Sequence, residues 1–424
     1  MAPEISSITV VGAGLAGSRT VAALREQGFG GRLTVVGHEA TRGYDRPPLS
    51  KELLSRTEPA WFHDDLGIDV AALADELVLD DAAVHLETAR LTTSGTHTVI
   101  TRGGRNLTSD VVVLAVGSAP VRVPGWERAL VLGTADDATV LRARLAAARS
   151  LVVVGAGWIG AEVAGVVAKA GLAVTVVEAF ETPLAAALGT EVGGRLAPWY
   201  EQAGVRLRTS ASVDAVGDDG VRLTSGEVVE GDVVLSAVGA RPATGWLKDS
   251  LPLAARGGIP TDAAGGVLAG PGRLGDGGAG TPGRVEGLFA VGDCAVRADP
   301  AWGAVPAGHW SAALHDPELV AHAVLGTEPP AAHVPYVFST QLGHDLGLVG
   351  IADPDDRVVL RRTQGAQQGW SVAFVRDGLL RAVLAADLPR EVIAARKVLR
   401  GGPVQVDEAA LADGVPLRES VGQR

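Results

Sequence analysis

The stretch Ile8–Gly17 reads ITVVGAGLAG: four residues of strand-forming type run straight into a glycine pattern at Gly12, Gly14 and Gly17. A continuous run of this kind suits a strand buried on both faces of a parallel sheet. An amphipathic helix over Leu15–Gln27 and a second apolar run over Leu33–Val36 follow, so the spacing predicts a parallel strand–helix–strand unit. The three glycines have separate tasks. Gly12 permits the tight turn, Gly14 lets backbone approach a pyrophosphate, and Gly17 lets helix and strand pack closely. The helix N-terminus, with Leu15 and Ala16, offers free N–H groups and partial positive charge to phosphates. Glu39 stands where an acid accepts from ribose hydroxyls, about 20 residues downstream. A glycine-rich turn with no ligand is the bland alternative; strand, helix and acid together argue for a dinucleotide.

The pattern recurs in LVVVGAGWIG, residues 151–160, with Gly155, Gly157 and Gly160, intervening Trp158 and Ile159, a helix expected over Ile159–Ala170 and a strand over Ala173–Val177. Glu178 closes that strand. An acid there favours NAD, because it repels the extra phosphate of NADP, and no Arg or Lys follows until Arg195. The other reading makes Glu178 a solvated strand-end residue. Two such sites in one chain suggest two dinucleotides meeting face to face, the arrangement that moves hydride from a nicotinamide to a flavin.

Composition narrows the field. At 424 residues the chain can form two or three domains with full cores. A formal net charge of -12 argues against a general nucleic-acid binder. The single cysteine, Cys294, cannot form an internal disulfide, a Cys-x-x-Cys pair or a cysteine-based metal site, and no metal ligands are assigned. The N-terminus lacks a basic region with a cleavable apolar core, and no apolar run reaches the ~18 residues of a membrane span. These features lead us to expect a soluble, cytoplasmic protein with no membrane partner, a monomer or homodimer.

Further along, SDVVVLAVG (Ser109–Gly117) reads as a buried strand, and DVVLSAVG (Asp232–Gly239) mirrors it. Residues Arg206–Glu230 read as a small antiparallel section. Ala263–Arg284 is Gly/Pro-rich and reads as a surface loop. GLFAVGDC, Gly287 to Cys294, returns as a buried strand. From about Pro335 short strands dominate, and a helix is expected near Pro389–Leu399. The expected fold is α/β: two Rossmann-like three-layer dinucleotide-binding domains plus a C-terminal α+β interface domain. The boundaries are 1–117 and 241–328 for a discontinuous FAD-binding domain, 118–240 for an NAD-binding domain and 329–424 for the C-terminal domain.

Between the fingerprints lies YDRPPLSKELL, Tyr44–Leu54. With both fingerprints and GLFAVGDC, this segment resembles the ferredoxin-reductase branch of the FAD- and NAD-dependent pyridine nucleotide-disulfide oxidoreductases, whose members serve putidaredoxin, rubredoxin and dioxygenase ferredoxins. The resemblance implies that Arg46, Pro47 and Lys51 line the flavin, with Lys51 by its reactive nitrogen. It implies that Glu162 pairs with Lys51 and faces the nicotinamide, that Asp293, next to Gly292, holds the flavin's ribityl chain, and that His309 and Trp310 lie near the flavin ring. Ala115, Gly117 and Gly239 fall at its cofactor-lining positions. Each residue also has a simpler reading: an exposed helix-start lysine, a first-turn acid, a helix N-cap and a core tryptophan. Cys294 reads as a small buried residue and Phe338 as a packing residue. The chain departs from the family in its loop around Ala263–Arg284, which is longer than usual, and at three motif positions. Ala-Thr-Gly becomes Ala115-Val116-Gly117, the acid before His-Trp is Gly308, and the acid of Ser-Asp-Gln is Thr340.

The function this implies is electron transfer from NADH through FAD to a small iron–sulfur protein, a ferredoxin that supplies an oxygenase. With no cysteine pair the flavin must discharge outward. Two alternatives remain. One is an NADH oxidase or small-molecule flavin oxidoreductase without a redox disulfide; the other is a signalling flavoprotein like apoptosis-inducing factor.

Overall fold

The computed structural model describes residues 5–89, 95–270, 283–306, 308, 310–362 and 369–422. His309 and residues 271–282 of the Gly/Pro-rich stretch lie outside the described residues. The chain forms two compact units, Met1–Asp45 with Ala60–Ala119 and Arg241–Pro335, and Arg46–Pro59 with Pro120–Ala240 and Tyr336–Arg424.

In the first unit, Arg284–Ala290, Val111–Leu114, Ser7–Val11, Arg32–Val36 and Glu76–Val78 lie side by side, all parallel, within a nine-stranded sheet. Successive side chains along a strand point to opposite faces. Val111 and Val113 therefore enter one core with Val21 and Leu24 of the helix Leu15–Glu26 and Val320 of the helix Trp310–Leu325. Val112 and Leu114 enter another with Leu86 and Val99. Those two residues come from an antiparallel trio, Ala83–Glu87, His97–Thr101 and Asn106–Ser109, which forms the third layer. A strand sandwiched this way must be apolar throughout, as VVVL is.

The second unit repeats the plan. Val205–Arg208, Ala173–Val177, Ser150–Val154 and Val233–Ser236 form a parallel sheet. Leu151 and Val153 join the core of the helices Ala135–Ala146, Trp158–Lys169 and Ala185–Gln202. Val152 and Val154 pack with Val216, Val221 and Val229 of the trio Val213–Val216, Gly220–Leu223 and Val228–Glu230. This unit also holds the C-terminal antiparallel sheet, in the order Tyr336–Gln341, His344–Gly350, Leu379–Ala386, Trp370–Arg376, Arg357–Arg361, with Val404–Gln405 beside Leu379–Ala386. The helix Pro389–Val398 packs on that sheet. The α/β reading, with two three-layer units and a C-terminal α+β portion, matches this architecture.

Three local expectations need correction. Only the later part of 206–230 is antiparallel, because Val205–Arg208 completes the parallel sheet. The run from Ser109 is split: Ser109 ends the strand Asn106–Ser109, and the buried strand is Val111–Leu114. The run at 287–294 begins earlier, at Arg284, and stops at Ala290; Gly292–Cys294 is one tight 3-10 turn.

Candidate functional site

Both glycine loops sit at the C-terminal ends of parallel strands, where open α/β sheets bind ligands. Gly12 takes φ 122° and Gly155 takes φ 104°, left-handed values that favour glycine. A Cβ on Gly17 would collide with the Gly12 carbonyl, and one on Gly160 with that of Gly155. Gly14 and Gly157, by contrast, have nothing within 4 Å of a built Cβ. Those two residues are the N-caps of the helices Leu15–Glu26 and Trp158–Lys169. No side chain caps either helix, and neither has an acid in its first turn. An uncapped helix start leaves backbone donors for a ligand. The loops therefore fit pyrophosphate groups through open space beside the second glycine and N–H groups aimed into it.

In the first unit the loop has neighbours at either side. A small hollow open to solvent is lined by Ala13, Arg42, Trp61, His63 and Leu79. Glu39, which follows the strand Arg32–Val36, accepts a 2.5 Å hydrogen bond from the Tyr44 hydroxyl. Gly292 packs against Ala16, the second residue of the glycine-loop helix, so close that a Cβ would lie 2.7 Å from that methyl. This brings Asp293 beside the loop. Its carboxylate accepts from the Ser118 hydroxyl at 3.0 Å. Asp293 sits within the turn and is no helix N-cap; a strand, Ala295–Asp299, follows it. The Trp310 indole donates to Asp45 at 2.8 Å, so this tryptophan is only partly a core residue. Ala115 is buried where its carbonyl meets Gly12, and Gly117 takes φ 67°. Cys294 is fully buried, with Sγ 3.3 Å from the carbonyls of Leu114 and Val291, and burial pushes the thiol up to about 11. It is a packing residue, unlike the exposed thiolates of reactive cysteines.

In the second unit Glu178 is 8% exposed and turned inward. It accepts from the N–H of Ala156, inside the glycine loop, at 2.6 Å and from that of Phe180 at 2.8 Å. The solvated strand-end reading is corrected: Glu178 braces the loop. Tyr200 lies beneath; burial, and secondarily the Glu178 charge, raise its phenol above the ordinary range. Gly239 is exposed after the strand Val233–Ser236.

The same unit brings together Arg46, Pro47, Lys51 and Glu162. Pro47 starts the short helix Pro48–Lys51, and the Arg46 guanidinium donates to the Gly133 carbonyl. Lys51 forms an ion pair with Glu162, which is only 4% exposed. Glu162 is the fifth residue of its helix, beyond the first turn, so the dipole-favoured first-turn reading is corrected. Its side chain also receives the hydroxyls of Ser50 and Ser339. Lys51 Nζ stands 5.1 Å from the Phe338 ring centroid, so Phe338 offers that ammonium an aromatic face as well as packing. Sequence reasoning missed Arg42, Ser118, Ser50 and Ser339. Arg42 and Ser118 carry no spacing signal; Ser50 and Ser339 stand within quoted motifs, but only the fold brings their hydroxyls to Glu162.

A family profile described as pyridine nucleotide-disulphide oxidoreductase matches residues 6–324, and one described as reductase C-terminal matches residues 336–421. Rhodocoxin reductase of Rhodococcus erythropolis is 32% identical over 96% of this chain and 92% of its own length. The biphenyl dioxygenase system ferredoxin–NAD(+) reductase component of Paraburkholderia xenovorans is 31% identical over 98% of each chain. The crystal structure of the covalent putidaredoxin reductase–putidaredoxin complex is similar with a TM-score of 0.83 and 25% identity, covering 98% of this chain and 97% of that one.

Proposed function

The chain belongs to the pyridine nucleotide-disulphide oxidoreductase family, and from that premise we propose that it is a ferredoxin–NAD(+) reductase, passing electrons from NADH through FAD to a small iron–sulfur protein that supplies an oxygenase. The observation that carries this reading is the pair of uncapped glycine loops, one on each of two separate parallel sheets, in a chain whose single cysteine is buried. The acceptor follows from the relatives, which are named as reductases of dioxygenase ferredoxins and of putidaredoxin.

The first loop binds FAD. Gly12, Gly14, Leu15, Ala16 and Gly17 surround its pyrophosphate, Glu39 and the hollow by Arg42 take the adenosine half, and Asp293 orients the ribityl chain. Trp310, Ala115, Gly117 and Gly292 would line the flavin half. The second loop binds NADH at Gly155, Gly157, Trp158, Ile159 and Gly160, with Glu178 excluding a 2′-phosphate and Gly239 lining the same edge. Residues 1–117 and 241–328 form the FAD-binding domain, 118–240 the NAD-binding domain and 329–424 the C-terminal domain. Lys51, with Arg46 and Pro47, serves the point of hydride transfer, and Glu162 balances the Lys51 charge, since a buried ammonium without a partner is costly. When bound, the nicotinamide supplies a hydride and the flavin releases electrons singly. The chain contributes orientation and charge.

Among the described residues no helix is long and apolar enough to cross a membrane. We assign the protein to the cytoplasm, where NADH and an iron–sulfur acceptor are both at hand. Anaerobic addition of NADH is expected to bleach the flavin absorbance, with NADPH far slower, and an oxidised ferredoxin from a dioxygenase system is expected to restore it at once. Preference for NADPH would overturn the Glu178 assignment. Rapid reoxidation by oxygen, with none by any ferredoxin, would replace the reductase reading with the oxidase one.

A further inference from the structure

Glu162 has more partners than an ion pair requires. Its Oε1 receives Lys51 Nζ and the Ser339 hydroxyl, and its Oε2 receives the Ser50 hydroxyl at 2.5 Å. Ser50 and Ser339 are themselves buried, 4% and 2% exposed. Behind them Gln341 Nε2 donates to Ser339 Oγ at 3.1 Å. A hydroxyl has one proton and two lone pairs, so a donor on its far side leaves the proton for the carboxylate. Gln341 therefore aims Ser339.

The three segments involved are remote in sequence: Pro48–Lys51, Trp158–Lys169 and Tyr336–Gln341. Gly165 lets the last two meet. It lies three residues beyond Glu162, on the same helix face. A Cβ there would stand 2.8 Å from the Leu342 backbone nitrogen, so a larger residue would push the strand, and Ser339 with it, away from the helix. A lysine alone would leave a buried carboxylate short of donors and free to turn about its last torsion. Hydroxyls on both oxygens satisfy it and fix its plane.

The geometry points to Ser339 and Ser50 as positioning residues: their hydroxyls hold the Glu162 carboxylate so that the Lys51 ammonium keeps one place between Glu162 and Phe338. The C-terminal sheet thereby takes part in the charge site proposed to face the nicotinamide. This inference rests on the assignment of Lys51 and Glu162 to the point of hydride transfer.

The test uses the flavin-loaded enzyme and the variants Ser50→Ala/Ser339→Ala, Gln341→Ala and Ser339→Thr, with Lys51→Ala and Glu162→Gln as references. Two quantities are read. One is the stopped-flow rate of flavin reduction across NADH concentrations, which separates the limiting rate from NADH affinity. The other is the rate at which acetic anhydride acetylates Lys51 at one fixed pH without nucleotide, read by peptide mass spectrometry. The double variant, which removes both hydroxyl donors, is expected to lower the limiting rate at least about tenfold, the scale of a single lost hydrogen bond to a charged group, with NADH affinity little changed. Lys51 should be acetylated severalfold faster, because its partner no longer stays in place. Gln341→Ala should move both quantities the same way by less, and it covers the case in which the double variant does not fold. Ser339→Thr, which restores the hydroxyl, should return both toward the parent.

An unchanged labelling rate in a folded double variant overturns the positioning role, whatever the reduction rate does. If Lys51→Ala and Glu162→Gln also reduce flavin at the parent rate, the hydride-site assignment fails instead. Faster labelling in the double variant would still establish that the hydroxyls hold the pair.

Discussion

The two glycine loops are nearly superimposable in logic and differ in what stands around them. Gly12 and Gly155 share a left-handed φ, Gly17 and Gly160 both touch the carbonyl of the first glycine, and Gly14 and Gly157 are both open. The acids part company. Glu39 is held by a side chain, the Tyr44 hydroxyl, whereas Glu178 is folded onto backbone N–H groups, one of them inside the loop. The first loop is closed in by the Gly292 turn and flanked by a hollow; the second shares its helix with the buried Glu162 and its donors. One backbone device thus serves two purposes. Enclosure by neighbouring chain suits a cofactor that stays, while a braced loop beside a charge pair suits a ligand that comes and goes.

The largest expected effect comes from breaking each loop separately. Gly17→Ala sets a methyl against the Gly12 carbonyl, and backbone must move. Overpacking of this kind costs roughly 1–3 kcal/mol, and the purified variant should carry little or no flavin absorbance. Gly160→Ala meets the equivalent clash with Gly155. It should keep its flavin yet lose kcat/KM for NADH by about 100-fold, some 2.7 kcal/mol of transition-state stabilisation. Equal loss of flavin in both variants would erase the distinction between resident and exchangeable sites.

Next come the acids. Asp293→Ala removes a carboxylate from beside the first loop and strands the Ser118 hydroxyl. Flavin should dissociate roughly tenfold more readily, the scale of one hydrogen bond to a charged group, with NADH affinity unchanged in the flavin-loaded fraction. Glu178→Ala should raise the KM for NADH about tenfold and narrow the preference over NADPH by a similar factor. Because Glu178 braces Ala156 whether or not it also meets the ribose as proposed, the ratio of NADH to NADPH activity is the informative quantity. A raised KM with an unchanged ratio would leave Glu178 as a brace alone.

How much of this was legible in sequence depended on how local the physics was. The parallel strands were plain, since VVVL and SLVVV must be apolar on both faces, and the glycine loops followed from them. The helix Ala185–Gln202 was not. It breaks at Gly189, which leaves helical geometry with φ 80°, and beyond that kink Gly193, Gly194 and Pro198 argue against a helix while Val192, Leu196 and Tyr200, buried at steps of four, hold it by packing. The trio at Ala83–Ser109 escaped for the opposite reason: one of its faces is polar, so its strands resemble loops. At the candidate site, residues within a quoted motif were visible, Lys51 and Asp293 among them. Ser339 and Gln341 flank Thr340 in a quoted motif but could not be read as site residues, because a serine becomes a positioning residue only when a helix 177 residues away in sequence, here at Glu162, comes within hydrogen-bond reach.

The effect that vanishes at neutral pH concerns the first unit alone and follows from Cys294. Burial raises its thiol from an ordinary value near 9 to about 11. Below pH 9 the thiol is neutral in folded and unfolded chains alike and adds no pH dependence. Between pH 9 and 11 the unfolded chain ionises while the folded chain does not, so unfolding releases a proton and stability falls as pH rises. The loss should reach roughly 2–3 kcal/mol by pH 11. Lysines and tyrosines titrate in the same window, so the quantity to measure is the difference between parent and Cys294→Ala in urea unfolding at pH 8, 10 and 11. The variant should start slightly less stable, having lost a packed sulfur, and the gap should close or reverse at alkaline pH. The second unit contains no cysteine, so hydrogen exchange should place this alkaline loosening in the strands Val111–Leu114 and Arg284–Ala290, which flank the Cys294 turn, and leave Ser150–Val154 unaffected. A loss shared equally by both sheets would mean that the two units unfold as one.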